Sequence, residues 1–334
     1  MKKIAVLTSG GDAPGMNAAI RSVVRSGISA GLEVHGIYKG YEGLIDDDIR
    51  PLQWSDLGNV LHTGGTILRT ARSDRFRQDE WIDKAAQNLR YRGIEGVVVI
   101  GGDGTFNGGL RLSERGIGVV GVPATIDNDL GYTDYTIGFD TAVNTALDLI
   151  SKIRDTSSSH FRTTIIEVMG RNCGDIALYA GLGGGADVIL VPEVPVDIQD
   201  VVDRARSGKA AGKLHNIIVK AEGSDYPLDE LAELIEGMTG QETRSVVPGY
   251  IQRGGSPSGQ DRILASTLGA KAVEILAAAP TTKDIKSDPS LATEIPSVAV
   301  GVSGIDVIAV PLYDAIHTES KFRKDLYELA ITLS

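Results

Sequence analysis

The sequence predicts an α/β fold in which parallel strands form doubly wound sheets with helices on both faces. Short, nearly continuous apolar runs recur along the 334 residues, which is the pattern of strands buried on both faces. Segments of helical character separate these runs, and this alternation is typical of doubly wound proteins. The length allows two lobes of ordinary size, or one large domain with an insertion.

The apolar runs define the predicted strands. These cover Ile4–Leu7, Val34–Tyr38, Val97–Ile100, Val119–Val122, Thr164–Val168, Val188–Val191, Ile217–Val219, Val298–Val302 and Val307–Val310. The predicted helices lie between them and cover Gly15–Ala30, Gln78–Arg92, Phe106–Arg115, Asp140–Arg154, Asp197–Lys213, Leu228–Thr239 and Asp261–Ala278. Ligands of such sheets bind at the carboxyl ends of the strands, so the residues after each run are the first candidates for a site.

Two of the runs end in a glycine pair followed by an aspartate. The first leads into Gly10-Gly11-Asp12, and the third into Gly101-Gly102-Asp103-Gly104-Thr105. Glycine lets backbone N–H groups approach a bound anion, and the carboxylate that follows can hold a metal ion beside it. The pattern predicts a site for phosphate and magnesium.

Further carboxylates follow the run Val119–Val122. Asp127 and Asp129 lie two residues apart, so in an extended segment their side chains share one face, and Asp103 could converge on them from a neighbouring strand. Three carboxylates in one place repel each other unless a cation or arginines neutralise them. Together with the glycine segments, they suggest phosphoryl transfer.

Arginines supply the positive charge that a phosphate site needs in this acidic chain. The formal net charge of −11 makes binding to nucleic acid or to an anionic membrane surface unlikely, because both need a basic face, and we expect neither partner. The candidate phosphate ligands are Arg72, Arg162, Arg171, Arg244 and Arg253. Arg171 and Arg253 stand among glycines and are the strongest candidates.

Other classes of site are excluded or disfavoured. Cys173 is the only cysteine, which rules out a disulfide or a thiolate zinc site within the chain, and the five histidines lack zinc-binding spacing. Met16 and Asn17 replace the lysine and hydroxyl residue of a Walker P-loop, which excludes that class of NTPase. The glycine cluster 181–186 precedes a strand instead of following one, so it argues for close packing of a helix on a strand rather than for dinucleotide binding.

Three segments carry expectations about location and connectivity. The amino end runs directly into a strand and holds no apolar stretch long enough for a signal peptide or a membrane span, so we expect a cytoplasmic protein. The polar segment 155–160 either joins or lines the two lobes, or is a solvated turn. Residues 280–296 mix prolines, threonines and charges without periodicity, which predicts a surface loop.

The chain closely resembles bacterial ATP-dependent 6-phosphofructokinases over nearly its whole length. The shared motifs are Leu7–Asn17, Thr125–Asp129, Arg154–His160, Val168–Arg171 and Gly254–Pro257, and the likeness weakens after about Ala278. The resemblance implies two doubly wound, Rossmann-like lobes with a cleft between them. Residues 1–138 with 252–303 would form the ATP-binding lobe, and 139–251 with 304–334 the lobe that binds the sugar phosphate.

The resemblance also implies a reaction and a role for each matching residue. The γ-phosphoryl group of ATP would pass to the C1 hydroxyl of fructose 6-phosphate, a step of glycolysis that gives fructose 1,6-bisphosphate and ADP. Asp127 would be the general base, Thr125 and Asp129 would orient it, and Asp103 would hold Mg²⁺. The remaining catalytic groups, which would stabilise charge on the transferring phosphoryl, are Arg72, Arg171 and the backbone of Gly11.

The implied binding residues fall into three sets. ATP would be bound by Gly11, Tyr41, Arg72, Ser73, Arg77, Gly102, Asp103, Gly104, Thr105 and Gly108. Fructose 6-phosphate would be bound by Thr125, Asp127, Met169, Gly170, Arg171, Glu222, Tyr250 and Arg253, with Arg162 and Arg244 contributed by a neighbouring subunit of a homotetramer. An allosteric effector, ADP or phosphoenolpyruvate, would be bound by Arg21, Arg25, Arg154, Asp187 and Lys213.

This chain departs from the family pattern at three places. Tyr250 stands where the family has a histidine that contacts the sugar phosphate, and a phenol is not cationic near neutral pH. Ala124 replaces a glycine beside the phosphate path. The effector pocket loses basic residues at Trp54, Thr63, Ala211 and Leu214, which predicts weak effector binding.

Two alternative functions remain open. Pyrophosphate-dependent phosphofructokinases typically carry aspartate at the position of Gly104 and lysine at that of Ala124, and this chain has neither. A catalytically weak, regulatory paralogue would explain Tyr250 and the altered effector pocket, although the catalytic carboxylates and arginines are all present.

Overall fold

A computed structural model describes residues 1–160, 162–195, 197–210 and 212–334. Its strands are β1 (Lys3–Thr8), β2 (Glu33–Ile37), β3 (Ile49–Pro51), β4 (Gly96–Gly101), β5 (Gly118–Thr125), β6 (Ile137–Gly138), β7 (Thr163–Val168), β8 (Val188–Leu190), β9 (Asn216–Ala221), β10 (Thr243–Val246), β11 (Ser297–Ser303) and β12 (Asp306–Pro311). Its α-helices are α1 (Met16–Ser29), α2 (Gly40–Ile45), α3 (Asp79–Tyr91), α4 (Asp103–Ser113), α5 (Phe139–His160), α6 (Asp175–Gly184), α7 (Ile198–Ala210), α8 (Leu228–Thr239), α9 (Gly259–Ala278), α10 (Thr282–Ser287), α11 (Leu312–His317) and α12 (Lys324–Leu333).

The first of two compact units comprises Met1–Thr125, Leu130–Gly138 and Arg253–Glu319. Its sheet has the order β12-β11-β5-β4-β1-β2-β3, with β6 beside β5. The pairs β11–β12 and β2–β3 are antiparallel, and the central strands β1, β4 and β5 are parallel and almost wholly buried. Because these three strands run in one direction, the two glycine segments and Thr125 come to the same edge of the sheet.

The second unit comprises Ile126–Asp129, Phe139–Gln252 and Ser320–Ser334. Its sheet has the order β10-β7-β9-β8, and all of its pairs are parallel. The turn that carries Arg171 follows β7, and Glu222 follows the neighbouring β9. The parallel arrangement therefore brings these two side chains to the same edge.

The predicted α/β class is confirmed, and each predicted strand and helix overlaps an observed one. The sequence missed strands that lack an apolar run. β6 has only two residues, β3 ends in a proline, and β10 contains Arg244 and has exposed positions in its middle. Among the helices it missed α2, α6 and the short or C-terminal helices α10 to α12.

The interpretation of 155–160 as a linker or solvated turn is wrong, because these residues form the last turns of α5. The hydroxyl of Ser158 donates to the Arg154 carbonyl at 2.8 Å, and that of Ser159 donates to the Asp155 carbonyl at 3.1 Å. Such bonds let serines remain inside a helix. The surface loop expected at 280–296 is also partly helical, because Thr281 and Asp284 form a capping box at the start of α10.

The expectation for the glycine cluster 181–186 is confirmed. A Cβ on Gly181 in α6 would lie 2.7 Å from the Ile189 side chain on β8, so glycine permits the helix to contact the strand. The same glycines explain why the sequence analysis missed α6, because glycine has a low intrinsic helix propensity.

The lobes predicted from the resemblance differ from the compact units at three places. One is Gln252, which was predicted in the ATP-binding lobe and belongs to the second unit. Residues 304–319 belong to the first unit, since β12 pairs with β11 along its whole length. Residues 126–129 belong to the second unit, although the strand before them belongs to the first. As domains, the predicted lobes stay a prediction.

One helical stretch, 259–287, passes a test of length and apolarity for a membrane span, a test that core helices of soluble proteins also pass. The stretch includes α9, which packs against α1 in the first unit. It is interrupted at Ala279, where the backbone is extended.

Candidate active site

The segment after β1 forms a tight turn against an arginine. Gly10 has a positive φ of 84°, and a Cβ on Gly11 would lie 2.2 Å from Nη1 of Arg253. Glycine at position 11 therefore lets a guanidinium lie against bare backbone. The Nε of Arg253 is buried and has no hydrogen-bond partner among the described residues.

Hydrogen bonds connect the loop 63–70 to Asn17 and to the same turn. The Asn17 side chain donates to the Thr63 hydroxyl at 2.9 Å and accepts from the Ile67 amide at 2.8 Å, and the Thr70 hydroxyl donates to the Gly10 carbonyl at 2.7 Å. Asn17 thus has a structural task that the comparison with a Walker motif did not reveal. Arg72 follows this loop, is exposed, and makes no ion pair in the described part of the chain.

The segment after β4 enters a helix at once. The helix α4 begins at Asp103, three residues before the predicted start, so this carboxylate lies in the first turn. Asp103 is exposed and accepts a hydrogen bond from the Asn107 side chain at 3.1 Å. A Cβ on Gly104 would meet no atom within 4 Å, whereas the buried Thr105 hydroxyl donates to the Ser9 carbonyl at 3.0 Å. Free N–H groups and open space at a helix N-terminus suit a phosphate.

Tyr41 supports α4 from inside the first unit. Its ring stacks on Phe76 at a centroid distance of 4.2 Å, and a Cβ on Gly108 would lie 2.5 Å from its ring. Its hydroxyl donates to the Thr105 carbonyl, and burial raises the pKa of the phenol, which therefore stays neutral. Tyr41 is only 4% exposed, so its main contacts are with protein.

The other two predicted nucleotide residues of this unit differ in their surroundings. The Ser73 hydroxyl donates to Glu42, which also binds Arg75, and Ser73 accepts from the Phe76 amide at 3.2 Å. The Arg77 side chain is 85% exposed, and its Nε lies 3.9 Å from the Asp74 carboxylate. Ser73 is therefore part of a hydrogen-bonded turn, and Arg77 is a surface cation.

Asp127 and Arg171 meet in the second unit. The Asp127 side chain is 3% exposed, and its Oδ2 lies 3.3 Å from Nε of Arg171, which is half exposed. A buried carboxylate next to an accessible guanidinium pairs a base with a group that can bind phosphate. Asp129 lies two residues further on and is partly buried.

The turn that carries Arg171 is held by Glu222 and Gln252. Gly170 and Arg171 both have positive φ, 139° and 53°. Their amides donate to Glu222 Oε1 at 3.2 and 2.8 Å, and the Met169 amide donates to Gln252 Oε1 at 3.2 Å. Gln252 is fully buried and was missed by the sequence analysis, although it directly precedes the candidate phosphate ligand Arg253.

Arg162 and Arg244 are brought together by a carboxylate. Arg162 Nε donates to Glu242 Oε2 at 2.6 Å, and Arg244 donates to Oε1 of the same residue. Hydrogen bonds from Arg162, which has the larger effect, and from Arg244 hold the pKa of Glu242 below its usual range. Two guanidinium groups on one carboxylate leave a net positive charge. Glu242 lies just before β10, two residues from Arg244, but no local feature of the sequence connects it with Arg162.

The two substituted positions have opposite exposures. Tyr250 is 81% exposed in the single turn of helix at Gly249–Arg253, whereas Ala124 is buried in β5 at 1%. The phenol can therefore contact a ligand directly. The Ala124 methyl group lies within the protein and presents no charge.

The predicted effector residues form two groups, one in each unit. In the second unit, Lys213 Nζ lies 2.7 Å from Asp187 Oδ1, and Arg154 donates to the Gly185 carbonyl at 2.9 Å. In the first unit, the Arg25 guanidinium stacks over the Trp54 ring, 4.6 Å from its centroid, and burial followed by the charge of Arg25 lowers the pKa of Arg21.

Of the four replaced effector positions, Thr63 has an evident structural role, since it binds Asn17. Trp54 and Leu214 are about half exposed. Ala211 lies outside the described residues.

No protein-only metal cage is present among the described residues, where no group of three or more His, Cys, Asp or Glu could hold an ion. Mg²⁺ is commonly held by one or two carboxylates together with substrate phosphates. The exposed Asp103 carboxylate beside the open N-terminus of α4 fits that arrangement.

The chain is similar in sequence to known proteins of one family. Residues 3–276 match the family model for phosphofructokinase. A relative named ATP-dependent 6-phosphofructokinase, from Alkaliphilus metalliredigens, is 54% identical over 334 residues, which is the full length of both chains.

Two solved structures have the same fold. Phosphofructokinase from Saccharomyces cerevisiae matches 99% of this chain with a TM-score of 0.90 and 32% identity, and this chain spans half the length of that one. A pyrophosphate-dependent phosphofructokinase from Marinobacter aquaeolei matches 97% of this chain and 86% of its own, with a TM-score of 0.83 and 22% identity, which shows the fold alone. The chain belongs to the phosphofructokinase family.

Proposed function

We propose that this protein is an ATP-dependent 6-phosphofructokinase. It transfers the γ-phosphoryl group of ATP to the C1 hydroxyl of fructose 6-phosphate and produces fructose 1,6-bisphosphate and ADP. The full-length identity to a relative of that name supports the reaction, and the pairing of buried Asp127 with Arg171 is the observation that carries its mechanism.

Asp127 acts as the general base. One of its carboxylate oxygens accepts the proton of the C1 hydroxyl as the oxygen attacks the γ-phosphorus, while Thr125 and Asp129 orient the segment. General bases contribute about 10²- to 10⁴-fold to rates of this kind. The Nε of Arg171 lies 3.3 Å from Oδ2 of Asp127, so the guanidinium stabilises that carboxylate. It can also reach an incoming phosphoryl oxygen.

Charge stabilisation supplies most of the remaining acceleration, because phosphoryl transfer needs little covalent help from the protein. The positive groups are Arg171, the exposed Arg72 and the backbone N–H groups beside Gly11. Asp103 would hold Mg²⁺ together with the nucleotide phosphates. When bound, Mg²⁺ neutralises charge on the phosphate oxygens.

Arg162, Arg244 and Arg253 bind the sugar phosphate. Arg162 and Arg244, which share Glu242, form a forked cationic pair suited to a phosphate. We propose that this pair serves the active site of a neighbouring subunit in a homotetramer. The protein works in the cytoplasm as an enzyme of glycolysis.

Two positions select ATP as the phosphoryl donor. Open space at Gly104 leaves room for the nucleotide phosphates, and buried Ala124 offers no cation for pyrophosphate. The retained Asp103, Asp127, Asp129, Arg72 and Arg171 support an active enzyme over a regulatory paralogue.

A coupled assay of fructose 1,6-bisphosphate formation tests the proposal. Initial rates are measured over a range of fructose 6-phosphate concentrations, with Mg²⁺ and either ATP or pyrophosphate. We expect turnover with ATP and almost none with pyrophosphate. Comparable kcat/KM for the two donors would favour the pyrophosphate-dependent alternative, and absence of turnover with both would favour the regulatory paralogue.

A further inference from the structure

A buried hydrogen bond links the loop of Asp127 to the start of α6. Asn128 has a left-handed backbone with a φ of 55°, and its Nδ2 donates to Oδ2 of Asp175 at 2.8 Å. Both residues are buried, with 9% and 5% of their surfaces exposed. Asparagine is among the few residues that tolerate this backbone conformation. The same residue therefore permits the bend of the loop and supplies the amide that binds Asp175.

Asp175 also belongs to the segment that carries Arg171. The turn at 170–171 leads through Asn172, Cys173 and Gly174 directly into α6, whose first residue is Asp175. The bond from Asn128 to Asp175 therefore connects the two segments whose side chains form the 3.3 Å contact between Asp127 and Arg171. The bond therefore joins the two segments on whose relative position the ion pair depends.

The surroundings of Asp175 make its charge costly. Burial raises the pKa of Asp175 to about 6; the bond from Asn128 opposes the rise, Glu193 adds to it, and Arg323 opposes it. Oδ1 of Asp175 is buried and has no hydrogen-bond partner among the described residues. The nearby Cys173 thiol stays neutral because burial raises its pKa to about 12, and Glu193 accepts from the Gly174 amide at 2.9 Å. Because an ionised carboxylate is unfavourable at this buried position, the presence of Asp175 indicates a function.

We propose that Asp175 is a positioning residue for phosphoryl transfer, which holds Asp127 against Arg171 through Asn128 and does so more firmly when it is ionised. Charge-assisted hydrogen bonds are about twice as strong as neutral ones. Ionised Asp175 therefore keeps the base and the guanidinium in register, and its protonation loosens them. This inference rests on the proposed role of Asp127.

Two substitutions test the proposal. Asp175→Asn keeps an oxygen that accepts from Asn128 but cannot ionise, and Asp175→Ala removes the acceptor. We expect kcat at pH 8 to fall roughly 3- to 10-fold in the first and 10- to 100-fold in the second, with KM for both substrates changed less than about 2-fold. A purely structural role would not give this separation of kcat from KM or this partial rescue by asparagine.

The pH profile provides a second measurement. The wild-type kcat should show an ionisation near pH 6 that Asp175→Asn lacks. Asp229→Asn, which removes an exposed acid from the first turn of α8, is the matched control and should keep the wild-type profile. An unchanged acid limb in Asp175→Asn, or equal losses in the asparagine and alanine variants, would overturn the proposal.

Asp127→Asn in the same assays separates the two ideas. If that variant keeps its kcat, the proposed role of Asp127 is wrong, and the positioning role fails with it. If Asp127→Asn is inactive while the Asp175 variants match the wild type in kcat and pH profile, only the positioning role is wrong.

Discussion

The two units present candidate phosphate-binding groups of different kinds. In the first unit the groups are mainly backbone: the turn at Gly10 and Gly11 and the open N-terminus of α4 at Gly104. In the second unit they are side chains held in pairs, Asp127 with Arg171 and Glu242 with two arginines. The first arrangement depends on space that a side chain would fill, and the second depends on charge that a neutral side chain would remove.

This difference predicts how substitutions in each unit affect activity. Removal of a charged group from the second unit should reduce the chemical step, since the pair is needed in the transition state. In the first unit, a side chain that places negative charge beside the proposed phosphate position should weaken nucleotide binding, because the groups there are backbone N–H groups and open space rather than balancing cations. The following changes test that division.

The largest effect is expected at the base. Asp127→Asn keeps the shape of the side chain but cannot accept the C1 proton, so kcat should fall by roughly 10²- to 10⁴-fold while KM for ATP changes little. Steady-state rates with each substrate varied in turn measure both quantities. Retention of kcat within a factor of about three would contradict the assignment.

The next largest effect is expected on the folding stability that Asp175 contributes. Its folded pKa is about 6, against 3.8 for an ordinary aspartate, so the folded state binds the proton more tightly than the unfolded state. The stability that this group contributes is present below about pH 4 and is lost as the pH rises through 6, by about 3 kcal/mol in total. Urea unfolding of wild type and Asp175→Asn across this range should give a difference that changes by this amount. Parallel pH dependences of the two proteins would show that Asp175 does not titrate this way.

On the nucleotide side, Gly104→Asp should lower kcat/KM for ATP by roughly 10- to 100-fold, because it places a carboxylate beside a phosphate. Gly104→Ala is the matched control, since a Cβ there meets no atom within 4 Å, and it should stay close to wild type. If both variants lose activity equally, bulk rather than charge is responsible.

A smaller effect is expected at the exposed Tyr250. Tyr250→His restores a group that can be cationic, so KM for fructose 6-phosphate should fall by about 2- to 5-fold with little change in kcat, because the contact is to a phosphate that does not react. Saturation curves for the sugar phosphate at fixed ATP measure this. An unchanged or higher KM would count against a contact at this position.

The smallest response is expected from effectors. Trp54 covers Arg25, and Thr63 is bound to Asn17, so two positions that carry basic groups in the family contribute no charge here. Each lost charge-assisted contact removes roughly 1.5–3 kcal/mol. Initial rates at low fructose 6-phosphate should therefore change little with millimolar phosphoenolpyruvate or ADP. A strong sigmoidal shift by phosphoenolpyruvate that ADP reverses would show that the pocket functions.

The sequence predicted the parts of this protein that depend on local pattern. Buried parallel strands are continuous apolar runs, so the strands and their glycine-rich ends were recognisable. Partnerships between distant residues were not, because nothing local indicates that Glu242 joins Arg162 to Arg244 or that Asn128 binds Asp175. The polar end of α5 was misinterpreted for a related reason: its serines bond to carbonyls one turn earlier, which composition does not reveal.

The four hydrogen bonds of Asn17 have a consequence for the entropy of nucleotide binding. Its side chain holds Thr63, Gly64 and Ile67, and the Thr70 hydroxyl holds Gly10, so the stretch before Arg72 is ordered when the chain folds. Fixing a residue's backbone costs about 1–2 kcal/mol. Since that cost is met in the folded protein, ATP binding at the proposed ligand Arg72 would not have to order this loop, and we expect a correspondingly higher affinity for the nucleotide.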